Sequence, residues 1–241
     1  MLRPMCQTLV RSLGYLARPS YLTALFILTT AGCSQQFSDV NATLKEGIYG
    51  FQDIEMTQEH LANLPYASTY VRINGGAQIF MVLALAEKNT QTGVTQLKWV
   101  SADKAMIVTE DGRITKTLRL PIYNLAGLTS SFSDSYFSAT TNQQWQATYD
   151  WDKSDYLDKR YHYGFDAQVS MTEHDTSTLT SALWTKNVTQ WQEQVYFTQL
   201  DQTITNQYWR DEQGMVVKSL QYLGPDMNKI EMEILKPYLE R

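Results

Sequence analysis

Residues 79–86 read Ile-Phe-Met-Val-Leu-Ala-Leu-Ala, eight apolar residues without a polar interruption. Read as a strand, Ile79, Met81, Leu83 and Leu85 point one way and Phe80, Val82, Ala84 and Ala86 the other. Such a strand is buried on both faces. Either a helix covers the second face, or the sheet curls around an apolar interior.

The flanking sequence supplies the rest of that sheet. Tyr70, Arg72 and Asn74 alternate with Thr69, Val71 and Ile73, and Gly75-Gly76 reads as a hairpin turn. Residues 95–120 read as three short strands, with Asp111-Gly112 as a hairpin turn. After it, Ile114, Leu118 and Leu120 share one face, with Thr115, Thr117 and Arg119 opposite. Residues 124–143, rich in Ser and Thr, read as a long loop. Trp145, Ala147, Tyr149 and Trp151 alternate with polar neighbours, and YHYGFDAQVSM is a further strand. TEHDTSTLTS reads as a connection. Strands then follow in WQEQVYFTQ, TITNQYWRD, MVVKSLQYLG and KIEMEILKP, with Asp211–Gly214 as a tight turn and Pro237 as the end of the last strand. Helix signals are confined to the N-terminal part. Ser38 caps a segment reaching Gly47, and Thr57 caps residues 57–63 before Pro65. The expected fold is mainly β, a single antiparallel β-sandwich or curled barrel-like sheet with one or two short N-terminal helices.

The N-terminus sets the location. Arg3, Arg11 and Arg18 precede an apolar stretch from Tyr21 to Thr30, and Ala31, Gly32 and Cys33 follow. That stretch is about ten residues long, half of what a membrane-spanning helix needs. A basic region, a short apolar region and small residues describe a secretory signal. The order resembles a bacterial lipobox, in which the cysteine thiol is lipidated and becomes the first residue. Thr30 stands where leucine is commonest. The expected organisation is a signal peptide over 1–32, a lipidated tether over 33–45 and a single β domain over 46–241. An acylated, lipidated Cys33 supplies the several chains that stable anchoring needs. By resemblance to that class, Ser34 in place of Asp implies sorting to the outer membrane.

Composition narrows the functions. Removing residues 1–32 takes away three arginines and no acid, leaving 17 basic against 25 acidic side chains, a net charge of about −8. An acidic domain is a poor nucleic-acid binder. The mature chain keeps one cysteine, so its core holds it together without a disulfide. His60, His162 and His174 stand at no metal-ligand spacing, and Asp150, Asp152, Asp155 and Asp158 lack the glycine and terminal glutamate of a calcium loop. No metal or cofactor is expected. There is no G-x-S-x-G element, and paired carboxylates for glycoside cleavage need only proximity in space. No catalytic residue is singled out. The six tryptophans are core side chains or sugar-stacking platforms, and for each the core reading is favoured.

LPYASTYVRI (64–73), QIFMVLALAE (78–87), KWVSADKAMIVTEDGRITKTLRL (98–120), YWRDEQGMVVKSLQYLGP (208–225) and EMEILKP (231–237), with the lipobox, resemble the YjbF/GfcB family of outer-membrane lipoproteins. That family is encoded with exopolysaccharide and group 4 capsule genes. The resemblance spans roughly residues 45–237 and is densest from Gln52 to Leu120. It implies an antiparallel, mostly β fold and a role in making or exporting a surface polysaccharide, with no catalytic residues to carry over.

Three functions follow as expectations. The first is an outer-membrane-anchored, non-catalytic accessory factor, on the periplasmic face, that binds polysaccharide or an export protein. Exposed aromatics beside Gln, Asn and Asp on one sheet face favour glycan; a flat apolar patch favours a protein. The second is a carrier or sensor of lipid or lipid-linked sugar with a cavity in the curled sheet. The third is a glycan hydrolase or lyase. Cys33 is the lipidation site, and Tyr70, Arg72 and Asn74 are candidate binding residues on an alternating strand.

Overall fold

The structure, a computed structural model, describes residues 53–130, 137, 143–153 and 161–240. The expected signal peptide, Cys33 and the helix expected over 38–47 lie outside the described residues. By its internal contacts the chain divides after Val40, and the fold below belongs to the unit Asn41–Arg241. A short helix, α1 (Gln58–Asn63), is capped by Thr57, whose Oγ1 accepts from the His60 amide at 3.3 Å. Then come β1 (Ser68–Ile73), β2 (Ile79–Lys88), β3 (Thr95–Val100), β4 (Met106–Glu110), β5 (Arg113–Leu118) and β6 (Tyr123–Ser130). The second half holds β7 (Gln143–Lys153), β8 (Tyr161–Thr180), β9 (Thr185–Phe197), β10 (Gln202–Asp211), β11 (Val216–Tyr222) and β12 (Lys229–Lys236).

All twelve strands form one sheet in the order β5-β4-β3-β2-β1-β12-β11-β10-β9-β8-β7-β6, antiparallel at every step. The chain is therefore two meanders joined side by side where β1 pairs with β12. The two edges, β5 and β6, are consecutive in sequence, and curling brings them together into a nearly closed barrel. The curled alternative is the one the chain adopts. Side chains make the final seam: the Leu125 amide donates to Thr117 Oγ1 at 2.9 Å, and the Leu120 amide to Asn124 Oδ1 at 2.9 Å. Thr117 and Asn124 are both buried, so the edge polar groups that an open sheet would expose are satisfied internally.

The hairpins obey turn chemistry. Asn74 (φ 53°) and Gly75 (φ 73°) are both left-handed, and the Gly76 amide closes the turn on Ile73 O at 2.9 Å. That is the primed turn whose twist suits a two-residue hairpin. Asp111 (φ 47°) and Gly112 (φ 79°) repeat it between β4 and β5.

The first half of the doubly apolar run of β2, Ile79–Val82, is covered on both sides. Ile79 and Met81 face the lumen and belong to the main core with Trp99, Ile107, Tyr149 and Tyr208. Phe80 faces outward, where it pairs with Tyr70, ring to ring at 6.0 Å. The Tyr70 hydroxyl accepts from the Met56 amide at 3.0 Å, and Leu61 of α1 is fully buried. Lys236 of β12 donates to Ala62 O at 3.1 Å and to Leu64 O, tying the end of α1 to the sheet.

Two bulges correct the expected faces. The β2–β3 register shifts between Leu83 and Leu85, which turns Leu85 outward, 47% exposed. The β4–β5 register shifts at Thr109, where Thr115 falls out of the pairing; Thr117 becomes buried and Leu118 exposed. An extra residue inverts every face beyond it. Two other expectations give way to long pairing. Residues 124–130, expected within a loop over 124–143, fall in β6 against β7, and TEHDTSTLTS continues β8 to Thr180 against β9. The β8–β9 arm bends back over the barrel: Ser181 Oγ donates to Glu233 Oε1 at 2.5 Å and Trp184 Nε1 to Ile234 O at 2.8 Å.

Candidate functional site

The three candidate binding residues serve the fold. Tyr70 is buried beneath the N-terminal segment, not on a surface. Arg72 grips Asp53 through both guanidinium nitrogens, at 2.8 and 2.5 Å, and reaches Gly76 O and Gln78 Oε1 at 3.2 Å. Asn74 is a turn residue: its amide donates to Asn228 Oδ1 at 3.0 Å and its oxygen accepts from the Lys229 amide at 2.8 Å. Alternation alone put these three on one strand face; Asp53 and Met56, the turn and the β11–β12 connection are what they bind.

Among the described residues no group of three or more His, Cys, Asp or Glu is placed to hold a metal. Asp155 and Asp158 lie outside those residues. No described helix is long and apolar enough to cross a membrane.

The most unusual chemistry inside the barrel is a buried polar brace. Arg113 of β5 sends Nη2 across the lumen to Glu193 Oε1 of β9 at 3.1 Å and to the Tyr149 hydroxyl of β7 at 2.8 Å. Asn206 donates to Glu193 Oε2 at 2.7 Å, and the Tyr208 hydroxyl lies 3.2 Å from both Glu193 Oε2 and Gln221 Oε1. Gln221 in turn donates to Gly112 O at 2.9 Å. Burial, reinforced by the charge of Glu193, pushes the Tyr208 phenol well above its ordinary pKa. A general acid or base has to reach a substrate proton. Glu193 is fully buried and already engaged by three side chains, so the arrangement ties β5 to β7, β9, β10 and β11. The sequence carries a trace of it: Glu193 falls on the inward face of an alternation with Trp191, Val195 and Phe197.

The tryptophans divide. Trp99, Trp151 and Trp191 are buried in the core, while Trp184 and Trp209 are half-buried; the Trp145 side chain lies outside the description.

The outer face of β7–β10 is different from the brace. Because Ala147, Val169, Val195 and Ile204 point into the core, their neighbours point out. Strand pairing sets those neighbours in rows. Gln146, Gln168, Tyr196 and Thr203 form one row across four strands. Ser170, Gln194 and Thr205 form the next, and Thr172, Gln192 and Gln207 a third. All ten side chains are uncharged, where a protein surface ordinarily carries about a quarter to a third charged residues. The amides of Gln168, Gln192, Gln194 and Gln207 make no hydrogen bond to another described residue. Tyr196 is 37% exposed, and its hydroxyl donates to Asp201 at 3.1 Å, a bond that with the carboxylate's charge raises its pKa. The third row leads to Leu220, and Trp209 sits beside Gln190 with the Lys218 ammonium 5.8 Å from its ring centroid. A groove of about 910 Å³ runs along the β10–β11 side of this face, floored by Thr203, Thr205, Gln207 and Tyr222 and walled by the connection at Pro225–Met227. No single segment of sequence announces this face. Its signal is the run of Gln and Thr at alternate positions of three separate strands, which only the register assembles.

Residues 41–235 match the family described as "Group 4 capsule polysaccharide lipoprotein gfcB, YjbF". The chain belongs to this family. Its members include the uncharacterized lipoprotein GfcB of Escherichia coli K12, 31% identical over 226 residues, which cover 91% of this chain and 99% of GfcB. The uncharacterized lipoprotein YjbF of the same organism is 30% identical over 222 residues, 91% of this chain and 97% of YjbF. The crystal structure of the hypothetical lipoprotein YmcC from Escherichia coli K12 superimposes with a TM-score of 0.66 at 30% identity, covering 77% of this chain and 91% of that one. The chain is thus a capsule-related lipoprotein of mainly β fold.

Proposed function

We propose that this lipoprotein is held in the outer membrane through Cys33 on its periplasmic face and acts, without catalysis, in capsule or exopolysaccharide production or export by binding the polysaccharide on the outer face of β7–β10. The observation that carries this reading is the uncharged amide and hydroxyl grid with Tyr196 among its glutamines. Sugar hydroxyls both donate and accept, and so do Gln amides and Thr hydroxyls. An exposed aromatic face offers the apolar side of a pyranose a stacking surface. An extended polymer fits a long, shallow groove better than a closed pocket. Most exposed apolar side chains are scattered rather than gathered in a patch that would favour a protein partner: Leu85 stands on β2, Tyr163 on β8, Leu200 in the β9–β10 turn and Leu239 after β12, with only Leu118 and Ile122 close in sequence at the end of β5.

The test is genetic. A strain lacking the gene is complemented with the parent, with Cys33→Ala and with Tyr196→Ala/Gln194→Ala. The proposal expects surface polymer to return with the parent alone and the parent to band with outer membranes in a density gradient. Full polymer from every variant, or from the uncomplemented strain, contradicts it.

A further inference from the structure

A second space lies inside the barrel, away from the amide grid. A cavity of about 420 Å³ separates the β3–β4 wall from the β11–β12 wall. Leu97, Trp99, Val216, Met232 and Ile234 form its sides. Its size falls in the range of about 300–1,000 Å³ typical of small-molecule sites.

The lining asks for an apolar occupant. Its inward polar groups are already paired: Trp99 Nε1 donates to Thr109 Oγ1 at 3.0 Å, and Ser219 Oγ accepts from Gln221 at 2.9 Å. A sugar placed against these walls would lose its hydrogen bonds to water without replacement from these paired groups. The mouth lies where the β4–β5 turn and the segment after β12 meet, and there Asp111, Thr95 and Glu240 stand at the edge. Pro237 and Tyr238 also line it, and Glu240 pairs with Lys88 at 3.4 Å, both side chains being exposed. Met215, just before β11, and Met232 of β12 line the β11–β12 side and are side chains that adjust to an irregular guest.

We propose that this cavity receives a single linear hydrocarbon chain whose polar end stays at the mouth beside Asp111 and Glu240. A separate lipid supplies such a chain. The inference stands on the cavity and is independent of polysaccharide binding on the outer face.

The test uses the full chain with Cys33→Ala, ¹³C-labelled at its methionine methyls, titrated with 1-dodecanol as a neutral probe. The expected result is saturable binding of one molecule, with the Met215 and Met232 signals shifting. Leu97→Trp and Ile234→Trp, which fill the cavity from opposite walls, weaken binding by at least about tenfold, while Leu85→Trp on the outer surface leaves it unchanged. No saturable binding, or shifts that leave Met215 and Met232 unmoved in the unfilled protein, overturns the proposal even if both tryptophan variants fail to fold.

Discussion

Arg113 and Glu193, brought from β5 and β9 to opposite sides of the lumen, meet at 3.1 Å with side chains 2% and 0% exposed. Removing one partner strands the other charge in a dry interior, which costs about 3–5 kcal/mol. Glu193→Ala is therefore expected to lower urea-unfolding stability by that order. Replacing both, as Arg113→Met/Glu193→Leu, is expected to cost far less, because no charge is left behind. Equal losses in the single and double variants would contradict the brace.

Gly112 combines two constraints. Its φ of 79° disfavours any side chain, and a Cβ there would stand 2.4 Å from the Val216 Cβ on β11. Gly75 has a φ of 73° with nothing within 4 Å of such an atom. Gly75→Ala is expected to cost about 1 kcal/mol from backbone strain alone. Gly112→Ala is expected to cost clearly more, since the β4–β5 turn must move off β11. Thermal melts of the two variants side by side check the order.

Asp53 predicts an acid-sensitive clasp. The Arg72 guanidinium, with help from the Gln78 amide, lowers its pKa from 3.8 to about 2. A folded value below the unfolded one stabilises the fold at pH above about 4 and loses that contribution as pH falls toward 2. Both side chains are about a third exposed, so the effect is small. Asp53→Asn is expected to lower the melting temperature slightly at pH 7 and not at pH 2. A difference that persists unchanged at pH 2 would place its cause elsewhere.

Much of this architecture is legible in alternation and turns. Asp111-Gly112 marks a hairpin because left-handed backbone restricts the residue choice, whereas the turn expected at Gly75-Gly76 closes one residue earlier, at Asn74-Gly75. Thr57 marks the start of α1, and Pro237 follows the last residue of β12. The bulges at Ala84 and Thr115 carry no such mark, so Leu85 and Leu118 look inward in sequence and are outward in fact. Residues 172–180 read as a connection because their polar run has no apolar face; pairing with β9 holds them as strand without one. The brace and the amide grid are assembled from strands far apart in the chain, so neither has a local signature. Arg113 and Glu193 are 80 residues apart yet form one ion pair.

The surface grid is separable from stability. Gln168, Gln194 and Tyr196 point away from the core, and surface substitutions of that kind change stability by about 0.5 kcal/mol or less. Gln168→Ala/Gln194→Ala is expected to leave the melt unchanged within that margin while reducing retention on polysaccharide.

The most direct test of the account is affinity electrophoresis of the full chain carrying Cys33→Ala through gels containing surface polysaccharide from the parent strain, with and without Tyr196→Ala. Polysaccharide binding on the outer face predicts retardation that grows with polymer concentration and falls at least about tenfold in apparent affinity with Tyr196→Ala, a loss of about 1.4 kcal/mol. Mobility unaffected by the polymer, or retardation identical in the variant, would contradict it.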